Sequence, residues 1–138
     1  MNHVNDALKL SSSNYPTYQD IEILNSKAII MCEEELFDEG IATFKSILTL
    51  ENRVIMKYDR RIITRIYYNL SKSLHEIEQY HDSLFYGKKG ITLLLELESF
   101  YLLGELYFQV GAAYVGLRKR SEAVSSFDRA KKRIFGEK

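Results

Sequence analysis

The chain has 138 residues, 19 Lys/Arg against 19 Asp/Glu, one cysteine, one proline and a hydrophobic content of 46%. That is enough chain for one ordinary globular domain with a real core, and the zero formal charge argues against a general nucleic-acid binder. A single cysteine, Cys32, excludes an intrachain disulfide framework and fits a reducing compartment.

The charge is unevenly spread. Residues 1–55 carry four Lys/Arg and nine Asp/Glu, net −5, and residues 56–138 carry fifteen and ten, net +5. Opposed ends of this kind can attract one another, although solvated helix faces produce the same pattern. Residues 1–16 are polar and lack the apolar stretch of a secretory signal, and the most apolar run, ITLLLELESFYLLGELYF, is interrupted by Glu96, Glu98 and Glu105. No membrane span is therefore expected, and the default location is cytoplasmic.

In chain order, a short segment, VNDALKL, comes first. The stretch SSSNYP at 11–16 then reads as a linker, so residues 1–16 are an N-terminal segment and 17–138 one domain. From there the pattern is helical: apolar residues recur at helical spacing, period-2 alternation is not sustained, and proline is absent after Pro16. Breaks fall near 35–38, 78–82 and 117–121.

The helical part repeats. YFQVGAAYVGL (107–117) aligns with YYNLSKSLHEI (67–77) at a period of 40 residues. Tyr107 then matches Tyr67, Gly111 matches Ser71, Ala123 matches Ser83 and Ala130 matches Gly90. A fainter copy, offset by 43 residues, places Leu24, Ala28, Gly40, Phe44 and Ile47 in the same slots. Three units follow, at about 20–55, 60–98 and 100–135, each predicted as two helices and a short turn. Small residues recur on the most apolar faces despite the ~1 kcal/mol that glycine costs inside a helix. The physical reason is that the paired helices approach closely only where side chains are short.

This pattern resembles the tetratricopeptide repeat, which wants a large aromatic, Leu-Gly and Tyr on its first helix and a small residue, an aromatic and a small residue on its second. The third unit supplies Tyr107, Gly111, Tyr114, Ala123, Phe127 and Ala130. The second departs at Ser71, Leu74 and Gly87, and the first at Ile47. Between Gly90 and Gly104 thirteen residues stand where the short motif has about seven, which lengthens the second helix before a reversal near Ser99. Long units with a phrase such as SFYLLGELYFQVGAAYVGL are similar to the C-terminal repeats of the Gram-positive Rgg, Rap, NprR, PlcR and PrgX quorum-sensing regulators.

The resemblance implies an all-α superhelix, a solenoid of about three helix-turn-helix repeats whose concave face is lined by first helices. It implies inward slots at Asn25 and Ile29 in the first unit, at Arg65, Tyr68, Lys72 and His75 in the second, and at Glu105, Phe108 and Ala112 in the third, with Asn69 and Gln109 bordering them. Val115, Cys32 and Glu22 belong to the same register. Such a surface, cationic and amide-bearing on one side and apolar on the other, suits a short extended peptide: amides pair with its backbone, and Arg or Lys holds a carboxylate. In the regulators resembled, asparagines hold the peptide backbone, and Asn69 and Asn25 match that role.

The implied function is a peptide- or protein-binding module, the ligand-sensing domain of a PlcR/Rgg-like transcription regulator. The alternative is a protein–protein scaffold without a small peptide ligand. The expected partner is a short peptide or protein tail, with a homodimer open to it. DNA would be met only through a separate helix-turn-helix domain, for which the residues before the first unit are too few.

No enzyme activity, cofactor, catalytic residue or metal is expected. His75 and His81 stand six apart with a turn between them, unlike a helical ligand pair, Cys32 lacks a basic neighbour, and no phosphate loop, HExxH or GxSxG occurs. The basic run Arg118-Lys119-Arg120 could touch nucleic acid. Arg129, Lys131, Lys132 and Arg133 more simply complement a helix C-terminus. Glu33-Glu34-Glu35 occupies the matching turn of the first unit, Glu35 in the slot of Arg118, as two sides of an end-to-end contact would.

Overall fold

The computed structural model describes residues 15–136. The VNDALKL segment and most of the 11–16 linker lie outside the described residues. Six α-helices and no strand occur among those described: α1 (Tyr18–Glu33), α2 (Phe37–Leu50), α3 (Arg61–Glu76), α4 (Tyr80–Glu96), α5 (Leu103–Gly116) and α6 (Arg120–Phe135), with a 3-10 turn at Glu51–Arg53. They pair as three antiparallel hairpins, α1 with α2, α3 with α4 and α5 with α6. The expected all-α repeat of helix-turn-helix units is what the described residues form, and the breaks at 34–36, 77–79 and 117–119 overlap the windows expected from sequence. The chain divides into two compact units, 1–59 and 60–138.

In the first unit, α1 starts on a reciprocal capping box. The Thr17 N–H donates to Asp20 Oδ2 at 2.8 Å and the Asp20 N–H to Thr17 Oγ1 at 3.3 Å, which satisfies two of the donors a helix start leaves open. Ile21, Leu24 and Ala28 of α1 and Ile41, Phe44, Ile47 and Leu50 of α2 are buried. A β-carbon on Gly40 would meet Cys32 Sγ and come within 3.1 Å of the Ala28 carbonyl. The two helices thus touch at their smallest residues, and Cys32 serves as packing for the crossing. The chain beyond α2 is tied back by the Tyr58 hydroxyl, which donates to Glu51 Oε2 at 2.5 Å, and by the Tyr58 ring, 5.8 Å from that of Tyr18.

In the second unit the hairpins α3–α4 and α5–α6 stack through α4 and α5. Ile91 and Leu94 of α4 and Leu106 and Val110 of α5 are buried together with Leu103, and Tyr68, Leu84, Tyr107 and Tyr114 close the sides. Within the α5–α6 hairpin, a β-carbon on Gly111 would stand 2.6 Å from the Phe127 ring. Only a glycine lets that aromatic lie flat against α5, and the packing offsets the helix-propensity penalty of about 1 kcal/mol.

The departures from the repeat pattern have their own logic. Gly87 holds the slot of Phe127, and in its place Val110 of the next hairpin enters, with Cγ2 2.9 Å from where a Gly87 β-carbon would be. An aromatic has been exchanged for a side chain from the neighbouring hairpin. The crossing contact is made at Ala28–Gly40 and at Ser71–Ser83, and Gly111 and Ala123 hold the same slots in the last hairpin; the members of each pair stand twelve residues apart, and all six residues are buried.

The three turns inside hairpins close alike. Glu35, Glu78 and Arg118 sit at φ 64, 62 and 60°, each followed by an N–H that reaches back over the helix end, such as Gln79 to the Leu74 carbonyl at 2.9 Å and Lys119 to the Tyr114 carbonyl at 2.9 Å. This is the Schellman closure, usually given to glycine.

Candidate binding surface

The surface is built on α3 and α5, the first helices of the two hairpins in the second unit, which lie side by side. On α3 the residues open to solvent are Arg61, Arg65, Lys72 and Glu76, with Tyr68, Asn69 and His75 half-buried between them. They form one stripe because they recur every three to four residues. The corresponding stripe on α5 is Glu105, Phe108, Ala112 and Val115. The opposite faces of both helices carry Leu70, Leu74, Leu106, Val110 and Ala113 into the core, so buried spacing sets what remains open.

Arg65 is the best-defined side chain of this surface. Its Nε–H and Nη2–H donate to the Tyr101 hydroxyl oxygen at 3.1 and 2.6 Å, and its guanidinium carbon lies 5.7 Å from the centre of that ring. Arg61 approaches the same ring at 6.0 Å. Tyr101 belongs to the connection 97–102 between the hairpins, so it bridges α3 to the entry of α5. With Oη accepting from Arg65, the phenolic proton remains for an outside acceptor. Tyr101 was not among the residues read from sequence. Its signal was there in the long Gly90-to-Gly104 insertion, which extends the connection far enough to return an aromatic over α3.

Other expected residues are placed differently from one another. Asn69 and Lys72 share the Arg65 stripe. His75 sits edge-on to Tyr80 with ring centres 5.2 Å apart, so its ring belongs to the turn at the hairpin end. Tyr68 packs against the α4–α5 core, and Phe108 leans on Phe127, ring centres 5.4 Å apart. Gln109, in the slot of Asn69, is only 6% exposed and lies beneath the surface. Glu105 and Ala112 stay on the open α5 stripe.

In the first unit Ile29 is half-buried. Asn25 is 4% exposed, and its Oδ1 finds no hydrogen-bond partner. A buried amide oxygen left unpaired costs about 1–3 kcal/mol, which makes this acceptor unusual among the described polar groups.

The sequence matches the model of the RNPP family C-terminal domain over residues 2–135. The chain belongs to the RNPP family. The tetratricopeptide-like resemblance and the assignment to the Rgg, Rap, NprR, PlcR and PrgX group therefore hold. Among solved structures, this RNPP domain is similar to the N-terminal domain of stress-induced protein-1 (STI-1) from C. elegans, with a TM-score of 0.71 and 14% identity over 86% of this chain and 87% of that one. At that identity the likeness is one of fold, the all-α helical repeat. A comparison with curated proteins finds no match.

Domains of this type are binding and regulatory modules. No group of three or more His, Cys, Asp or Glu side chains among the described residues could hold a metal ion, and none of the described helices is long and apolar enough to cross a membrane.

Proposed function

We propose that this RNPP domain is the ligand-sensing part of a PlcR/Rgg-like transcription regulator and that it takes a short signalling peptide along the α3–α5 surface. The observation that carries the reading is the Arg65–Tyr101 pair, a guanidinium fork held in place at the head of a stripe that continues through Asn69 to Lys72. A fork already oriented loses less entropy when it closes on a carboxylate. The free end or an acidic side chain of the peptide would meet Arg65 and the Tyr101 hydroxyl, the Asn69 amide would pair with its backbone, and Ala112 and Val115 would take an apolar side chain. DNA contact is assigned to a separate helix-turn-helix domain, and the peptide acts by favouring one arrangement of the repeats over another.

The test uses synthetic heptapeptides with free and with amidated C-termini. A ligand of the native state raises the melting temperature, so some free-acid peptides should raise Tm, and Arg65→Ala should remove the rise without changing the helical spectrum. A set that leaves Tm unmoved, combined with capture of a folded protein partner, would replace this reading with that of a scaffold.

A further inference from the structure

We propose that the groove between α3 and α4, which shares no residue with the Arg65 surface, binds a ribonucleoside monophosphate. The groove encloses about 370 Å³, a size ordinary for a small-molecule site, and every residue lining it belongs to the second unit. Helical spacing builds one wall: Phe85, Lys88, Lys89, Thr92 and Glu96 recur every three to four residues on α4 and extend along it for about 16 Å. The antiparallel α3 supplies Tyr67 as the facing wall, with Arg60 at its head. Gly90 lets the two helices close here, since a β-carbon on it would stand 3.1 Å from Tyr67 Cβ. Leu93, buried, forms the floor.

Two features select the ligand. The first is positive charge without a counter-charge. The Lys89 ammonium lies 5.1 Å from the centre of the Phe85 ring and the Lys88 ammonium 5.4 Å from that of Tyr114, and among the described residues neither meets a carboxylate. An ammonium over an exposed ring is held weakly, whereas a phosphate oxygen accepts from it a charge-assisted hydrogen bond, about twice as strong as a neutral one. Long flexible stems let both lysines leave their rings for a phosphate. The second is an aromatic wall already in order. Tyr67 stacks on Tyr86, ring centres 6.3 Å apart, and Phe85 meets Tyr86 edge-on at 5.0 Å. Phe85 is 52% exposed, and the face that Lys89 vacates is open to a base. Thr92 and Glu96 continue the stripe beyond the rings, and their oxygens can accept from ribose hydroxyls. A bare anion would use the lysines and not the rings, and a neutral ring the reverse. A nucleotide uses both.

The experiment is calorimetric titration of the whole chain with AMP, GMP, CMP and UMP, with their nucleosides, and with inorganic phosphate. At least one nucleotide should bind saturably with a Kd below about 1 mM, and its nucleoside and phosphate should each bind at least about tenfold more weakly. Lys89→Gln and Phe85→Ala, both at exposed positions, should each weaken that nucleotide about tenfold. Lys89→Gln removes a charge outside the core, so it reads the site even if Phe85→Ala loosens α4. Arg65→Ala should leave nucleotide binding unchanged, which keeps failure here distinct from failure of the peptide reading. The proposal is overturned if no nucleotide binds saturably, if phosphate or the nucleoside binds as tightly as the nucleotide, if Lys89→Gln and Phe85→Ala bind like the wild type, or if Arg65→Ala abolishes binding.

Discussion

Ser71 and Ser83 clasp the crossing of α3 and α4 from both sides. The Ser71 hydroxyl donates to the Ser83 carbonyl at 2.7 Å, the Ser83 hydroxyl donates to the Ser71 carbonyl at 2.7 Å, and the two hydroxyl oxygens stand 3.1 Å apart. Both residues are fully buried. The equivalent slots on α5 and α6 hold Gly111 and Ala123, both buried, whose side chains have nothing to donate. One hairpin thus fills these slots with atom-poor residues and the other with a hydrogen-bonded pair.

Removing either hydroxyl should therefore cost more than a surface serine would. Ser71→Ala or Ser83→Ala is expected to lower stability by about 1–2 kcal/mol each, and the double variant by less than the sum, since the two groups share one network. Urea unfolding of the four proteins measures this. Losses under about 0.5 kcal/mol for both single variants would show that the bonds only replace those made to water in the unfolded chain.

Gly111→Ala should destabilise although alanine is the better helix former. The propensity gain is about 1 kcal/mol, but the new methyl stands 2.6 Å from Phe127, and overpacking of this kind costs about 1–3 kcal/mol. A second change, Phe127→Leu, gives the methyl room, so the pair should show favourable coupling in a double-mutant cycle. Additive behaviour would mean that the ring moves aside freely.

Glu78→Gly is expected to stabilise. Glu78 holds φ 62° in the turn between α3 and α4, where a β-carbon costs about 1–2 kcal/mol and glycine gives back part of this through its freer unfolded state. The net gain should be about 0.5–1 kcal/mol by thermal unfolding. The control Lys72→Gly, at an exposed position inside α3, should instead lose about 1 kcal/mol. If both lose stability, the turn is not strained.

Much of this architecture was legible because small buried residues recur at 40 and 43 residues, and no other arrangement makes economical use of Gly111, Ala123 and Ala130 on apolar faces. The paired nature of Ser71 and Ser83 was not, since each serine alone reads as a weakened glycine or alanine slot. Gly87 looked like a missing aromatic because the residue that fills its space, Val110, comes from the next hairpin. The slots on α3 came from the repeat resemblance, and helical spacing puts Arg65, Asn69 and Lys72 on one face of that helix. Depth was not legible: Asn25 and Gln109 occupy the right helices, yet both amides are buried, and a residue's register does not say how much neighbouring bulk covers it. Tyr101 was missed because it comes from a connection, where no periodicity marks a position.

Tyr101→Phe separates the scaffold from the proposed site. The ring stays, so Arg61 and Arg65 keep their aromatic neighbour, and the fold should change by less than about 0.5 kcal/mol, as for other exposed positions. What is lost is the oxygen that accepts from both Arg65 nitrogens. The guanidinium then regains its rotamer freedom, and a peptide carboxylate must order it anew at about 0.5–1.5 kcal/mol, a several-fold rise in Kd. Arg65→Lys should do the same with its charge intact, because an ammonium cannot hold the fork geometry. Titration of a free-acid peptide into the wild type and the Tyr101→Phe, Arg65→Lys and Arg65→Ala variants reads the effect. Unchanged Kd in Tyr101→Phe, with Arg65→Ala still inactive, would leave Arg65 as a bare positive charge and remove the positioning role given to Tyr101.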